Sequence, residues 1–290
     1  MARVNGVSAS PSVAFLRGIA GPRPAAIRLA VLRFLAASRP VLLPVAAAVA
    51  GAAAWEWGTR LAHVPPAVLP PPSAVWERLQ EALPILLQQS VPTVIETLVG
   101  FALAAVAGTV LGAACVLSRR LSQALYPWLL MFQLIPKVAL APLFIVWLGI
   151  GPASRLSFVV FMAFFPVVIA TMTGLMSVDR GVLRLCASLT ATPWQVLVGV
   201  RVPWALPHLF AGLKIAATMT VIGVVVAEFV TAQEGLGYLI MFAAAADDTA
   251  LAFAAVAGLC VIGLALYGAV AVAEAVIERL IGVAMTSGEF

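Results

Sequence analysis

The sequence predicts an all-α integral membrane protein with six transmembrane helices, a structured cytoplasmic loop and both termini in the cytoplasm. Three observations carry this. Of its 290 residues, 63% are hydrophobic and only 10% charged, and the mean hydropathy is +1.09, more apolar surface than a soluble domain can hide. Six nearly uncharged stretches approach or exceed the length of about 20 residues that a bilayer core demands of a helix. The cations gather on one side of these stretches.

The stretches are residues 41–58, 94–117, 125–150, 156–176, 204–230 and 251–276. They are rich in Ala, Leu and Val and do not alternate with period two, so helices fit where membrane β-strands would not. The chain thereby divides into a basic cytoplasmic arm (1–40), a first transmembrane helix (41–58), an external, periplasmic segment (59–93), a five-helix core domain (94–280) and a cytoplasmic tail (281–290). The arm's apolar portions are broken by Gly21, Pro22, Pro24 and Arg28 without a cleavage site, so it reads as uncleaved. Cys115, Cys186 and Cys260 share no metal-ligand spacing and read as packing residues.

Arg3, Arg17, Arg23, Arg28, Arg33 and Arg39 precede the first span. Arg119 and Arg120 follow the second, Arg180, Arg184 and Arg201 follow the fourth, and Arg279 follows the sixth. All fall on one side, which is the cytoplasm. The opposite loops set Arg60, Arg78 and Arg155 against Glu77, Glu81, Glu234, Asp247 and Asp248. The pI of about 9.6 follows from this asymmetry, and no nucleic-acid partner is expected. Trp55, Trp57, Tyr126 and Trp128 fit interfacial anchors.

The cytoplasmic segment 177–203 is too polar to span and too long for a tight turn. Thr192, Pro193 and Gln195 form a helix start with a capping box, after which Val196, Leu197 and Val200 share a face. Upstream, Val182, Leu183, Leu185, Cys186 and Leu189 form a second amphipathic stretch, so two short helices meet near Thr190. Such a pair suits either the membrane surface or a groove on a cytoplasmic partner. On the outer side, Ser73 reads as the capped start of an amphipathic run to Leu87, and Gly235 to Leu239 as a glycine-marked turn into a short apolar segment.

Lys137 is the most informative charge within the spans. Counted from Leu125 it lies roughly 18 Å into the bilayer, flanked by Pro136 and Pro142, which interrupt the helix. A broken helix at that depth lines a cavity or is buried in protein. The lysine therefore lines a path, with Met131, Phe132 and Gln133 beside it, or it is paired internally with Glu96, or it snorkels. Glu96 and Glu228 read as interfacial or structural, Lys214 as an inner-rim residue, and His208, beside Pro207, as a helix-end residue. Gly108 and Gly112 form a small-residue face for helix packing.

Several blocks taken together resemble the permeases of ABC importers in the nitrate/sulfonate/taurine group, which share the binding-protein-dependent inner-membrane component fold. The blocks are Leu69-Pro70-Pro71-Pro72-Ser73, the run Ile135 to Leu143, Trp147-Leu148-Gly149-Ile150-Gly151, Ser177-Val178-Asp179, the run Ala205 to Ala216, and the run Glu234 to Ile240. The resemblance covers Leu69 to Leu280. That family's loop signature is Glu-Ala-Ala, three residues, Gly, nine residues, Ile, one residue, Leu-Pro. Counting back from Pro203 puts Val200 at the Ile position, Thr190 at the Gly position and Arg184, Leu185 and Cys186 at Glu-Ala-Ala. The glutamate and glycine are both absent. The resemblance implies a loop that couples to an ATPase subunit through Arg184, Leu185, Cys186, Leu189, Thr190, Val196, Val200 and Pro203.

It further implies a bacterial inner-membrane, multi-pass subunit. Its partners would be ABC ATPases, a periplasmic or lipid-anchored solute-binding protein and a second copy of itself as a homodimer, together moving a small polar or anionic solute such as a sulfonate, taurine, nitrate or a pyrimidine precursor. The chain has no glycine-rich phosphate loop, so hydrolysis would belong to the partner, and no cofactor is expected in this chain. A secondary transporter or channel without an ATPase would need an internal repeat or several intramembrane acids. A membrane enzyme would need a convergent polar cluster, whereas His63 lies in a loop and His208 stands alone.

Overall fold

The computed structural model describes residues 24–231 and 233–281, with side chains placed at 43–231 and 233–280. Arg3, Arg17 and Arg23 of the arm, and the tail beyond Ile281, lie outside the described residues. All regular structure among the described residues is helical. Four helices are long and apolar enough to cross a membrane, or five spans if one bent pair counts as a crossing.

The chain divides into two compact units, Met1–His63 and Val64–Phe290. The first contains α1 (Pro24–Leu61), a single 38-residue helix that runs through residue 40 without a break. Arm and first expected span are thus continuous over the described residues, as the Ala, Leu and Arg content favours.

In the second unit, α2 (Pro72–Glu81) is capped by Pro71, with no side-chain cap. Ser73 lies inside the first turn and is not the helix start expected of it, because Pro72 already supplies the preset φ of a first helical residue. The run also stops short of Leu87. Pro84 cannot donate to a preceding carbonyl, so the helix breaks at Ala82 and α3 (Leu83–Leu117) begins.

Small residues let α3 approach α6 (Pro152–Met176) closely. A Cβ on Gly108 would stand 2.7 Å from Val167 Cβ, and one on Gly112 2.7 Å from Thr171 Cβ. Gly100 and Ala104 extend the same buried stripe, so the packing face expected at Gly108 and Gly112 is present and longer. Gly100 meets Val159, Gly108 meets Val167 and Gly112 meets Thr171, a constant offset of 59 residues. An offset that stays constant means the two helices run parallel. On its other side α6 packs against α9 (Val202–Thr231).

The expected span 125–150 is not one straight helix. It is α4 (Arg119–Leu134), a 3₁₀ turn (Lys137–Leu140) and α5 (Ala141–Leu148), bent by 94°. Pro136 and Pro142 enforce the break, each lacking an N–H and blocking the turn before it. The short helices α7 (Arg180–Ser188) and α8 (Pro193–Val196) follow α6. A π-helical turn at Leu197–Arg201 then joins α8 to α9 without a gap, directly before Pro203, which cannot complete the ordinary bond to residue 199.

The glycine-marked segment is α10 (Leu236–Ala245), whose Leu236, Leu239 and Ala243 are buried against α2, α3 and α11 (Thr249–Ile281). Its N-terminus is held by side chains of two other helices. Gln89 Oε1 accepts from Gly235 N–H (2.7 Å), Thr93 Oγ1 from Leu236 N–H (2.9 Å) and Glu228 Oε2 from Gly237 N–H (2.6 Å). Thr93 Oγ1 donates in turn to Glu228 Oε1 (2.6 Å). The orphan amides of a helix start are thus satisfied within the protein, and a carboxylate sits at the positive end of the helix dipole. Gly235 has φ +110°, and a Cβ on Gly237 would lie 2.7 Å from Glu228 Oε2, so both glycines are required.

At the far end of α10, Asp247 turns the chain at φ +56°. Asp248 accepts from Leu251 N–H (3.0 Å) and from Arg78 Nε of α2 (2.9 Å). Burial opposes the ionisation of Asp248, but the hydrogen bonds from Arg78 and Leu251 outweigh it and hold the carboxyl below the usual carboxylate range.

Glu228→Ala would leave the buried Gly237 amide without its acceptor and the Thr93 hydroxyl with only its long bond to Gln89 O (3.4 Å), at a cost of about 1–3 kcal/mol. Glu228→Gln keeps one acceptor and should cost less. Thermal unfolding in detergent is expected to rank wild type above Gln above Ala; an Ala variant melting with the wild type would show that the contact does not hold α10.

Candidate functional site

The loop between α6 and α9 is built by local capping. Asp179 caps α7, accepting from Gly181 N–H at 2.6 Å. The helix ends with Ala191 N–H donating to Cys186 O (3.1 Å) and Thr190 N–H donating to Ala187 O (3.1 Å), the bond pair of a Schellman motif. Thr190 is its C′ residue, at φ +55°. That is the place a glycine takes in such a motif, and a β-branched residue there is strained. The expected capping box closes α8: Thr192 Oγ1 accepts from Gln195 N–H (3.3 Å) and Gln195 Oε1 accepts from Thr192 N–H (2.8 Å).

These caps decide which side chains face outward. Leu185, Leu189 and Trp194 are 60%, 70% and 69% exposed, with Arg184 exposed beside them. Cys186, Val196, Val200 and Pro203 are half-buried, and Leu197 packs into the bundle with Leu175 and Ala205. The outward apolar face is therefore formed by α7 and Trp194. Trp194 was not singled out from the sequence; its signal is a large apolar residue one position after the proline that starts α8.

At the broken span, Lys137 Nζ lies 5.6 Å from the centroid of the Phe165 ring. The pairing of Lys137 with Glu96 does not occur. Glu96 Oε1 accepts instead from Arg155 Nε at 2.7 Å, in a pair with side chains only 13% and 10% exposed. The parallel register of α3 and α6 puts these two residues at the same 59-residue offset as the glycine contacts. Lys137 has no carboxylate within ion-pair distance among the described residues.

Phe132 stacks on Phe165 at 5.7 Å and meets Phe161 edge-on, so it packs the span against α6. Met131 and Gln133 are exposed. Lys214 pairs with Glu274 of α11 and lies 6.0 Å from the Tyr267 ring. His208 lies inside the continuous helix and not at its end, because the chain stays helical through both Pro203 and Pro207. Among the described residues, no three His, Cys, Asp or Glu side chains form a metal-holding group.

Thr190→Gly should relieve the left-handed strain and stabilise the loop by about 1 kcal/mol, while Thr190→Val should not. Melting temperatures in detergent test this; equal values for wild type and the Gly variant would show no strain at this turn.

Comparison with known proteins agrees with this architecture. Residues 100–281 match the family model of the binding-protein-dependent transport system inner membrane component. A probable ABC transporter permease protein of Haemophilus influenzae is 36% identical over 73% of this chain and 87% of its own length. The riboflavin transport system permease protein RibX of Chloroflexus aurantiacus is 38% identical over 78% of this chain and 84% of that protein. A chain of the MetNI methionine ABC transporter, solved in an inward-facing conformation, shares the fold at a TM-score of 0.54 with 20% identity, covering 66% of this chain and 97% of that one. The helices around the broken span and the capped loop thus form a non-catalytic ABC importer permease, and the chain belongs to the binding-protein-dependent transport system inner membrane components.

Proposed function

We propose that this chain forms the translocation path for a small polar or anionic organic solute, delivered by a periplasmic or lipid-anchored binding protein. In this reading two copies pair as a homodimer above ABC ATPases, each with six spans and both termini in the cytoplasm. This count adds the 41–58 part of α1, which is not among the candidate spans of the described residues, to the five reached when the bent pair counts as one crossing. The parallel run of α3 and α6 supports this topology, since the second and fourth spans of an alternating chain point the same way.

The observation that carries the path reading is Lys137. It is a cation in a proline-broken span, with an aromatic face but no carboxylate beside it among the described residues. In a site screened less than bulk water, that ammonium offers a counter-charge to a solute's acidic group. The relative named for riboflavin transport and the sulfonates and taurine of the resembling family make organic solutes the expected class. Met131 and Gln133 extend the path, with Phe132 holding the span in place.

The exposed face of Leu185, Leu189 and Trp194 is the seat for the ATPase, carried by apolar packing where Arg184 replaces the family's glutamate. Leu189→Asp alters a residue that is 70% exposed, so the permease itself should fold, while the interface gains a buried unpaired charge costing several kcal/mol. Loss of the co-purifying ATPase is expected, and a fully retained complex would refute this docking face.

For the path, Lys137→Met should assemble with the ATPase yet lose transport, and Lys137→Arg should keep part of it. Normal transport by the Met variant would make the lysine a packing residue.

A further inference from the structure

We propose that the groove between α4, α6 and α9, bearing Gln133, Thr173 and His208, is a solute-binding station for a compact organic solute with an apolar body and a hydrogen-bonding edge. The proposal rests on the permease reading above and adds residues and a ligand class to it.

The groove has a volume of about 350 Å³, and each of the three polar side chains comes from a different helix. All three are exposed, and none makes a side-chain hydrogen bond among the described residues. They lie in apolar helices, where a polar group turned toward lipid costs several kcal/mol. The lipid-type surface of the protein looks different: every exposed residue of α3 from Val91 to Leu117 is Val, Ile, Leu or Ala. Three unsatisfied polar groups converging on one concavity are satisfied by water or by a solute.

The composition of the walls selects the class. Ile169, Ala211 and Ile215 make most of the surface apolar, and the amide, hydroxyl and imidazole each supply both a donor and an acceptor function. Few convergent polar groups on an apolar wall are the arrangement of small-molecule sites. A bare inorganic anion would lose its hydration against such walls and regain few donors, whereas an organic body buries its apolar area there. Thr173 also borders a larger groove of about 650 Å³ with Ser122, Gln123 and Ser177. That groove lies between α4 and the C-terminal end of α6, which gives the station an exit on that side.

The test uses the full-length chain purified with its ATPase, with Cys186 and Cys260 replaced and the buried Cys115 retained. Cysteine is placed at Thr173, at His208 and, as a lipid-facing reference, at Val106. A charged, membrane-impermeant thiol reagent should modify the two groove positions roughly tenfold faster than position 106, because the reactive thiolate forms only where water reaches it. Riboflavin, taurine and benzenesulfonate are then added in turn at millimolar concentration, with nitrate as the inorganic probe. At least one organic probe should slow labelling at position 173 by roughly threefold or more while nitrate does not.

Equal labelling at all three positions, no slowing by any organic probe, or equal slowing by nitrate would each overturn the proposal. Should Thr173→Cys fail to fold, Ala211→Cys lines the same groove and decides the same outcomes. Failure of the permease reading is seen separately, as a chain that brings no ATPase with it.

Discussion

A carboxyl group that satisfies two donors from different helices organises the end of the bundle where α10 sits. Glu228, 2% exposed, accepts from Thr93 on α3 and from the start of α10 while belonging itself to α9. Any one of these bonds is modest. Together with the Gln89 and Thr93 contacts to Gly235 and Leu236 they satisfy three successive amides that would otherwise lie unpaired in an apolar setting, where each would cost several kcal/mol. The position of α10 follows from this, as does the cluster in which its Leu236 and Leu239 bury themselves.

The second constraint is the close approach of α3 and α6. Lipid offers no hydrophobic drive for helix association, so contact area and close packing decide it. The stripe Gly100, Ala104, Gly108 and Gly112 allows that packing in a single parallel register. The same register brings Glu96 to Arg155 and so withdraws it from Lys137. An electrostatic feature of the broken span is therefore set by glycines on a helix that does not carry the lysine.

Prolines place the remaining functional parts. Pro136 and Pro142 bend the apolar segment 119–148 by 94° and leave Lys137 over an aromatic face. Pro193 starts α8 within a capping box, and Pro203 is absorbed by a π-helical turn, so α8 and α9 form one unbroken helical path. Trp194 thereby stands on the same continuous helical path as Glu228 and His208.

Much of this was legible in the sequence, for a physical reason. Long apolar runs, prolines, a Thr-Pro-x-Gln cap and a small-residue repeat act through the local backbone, so up to five of the six expected spans, the breaks, the two loop helices and the Gly108–Gly112 face follow from composition and spacing. The family resemblance puts Thr190 at the glycine position of the loop signature, but its φ of +55° is a property of the folded loop. Partner choice is another matter. That Glu96 would bind Arg155 and not Lys137, that Glu228 would hold the start of α10, that Val196 and Val200 would turn half inward while Leu189 and Trp194 face out, and that Gln133, Thr173 and His208 would share one groove all depend on helix register and rotation. Those are set by side-chain packing between segments tens to more than a hundred residues apart, and only the tertiary structure decides them.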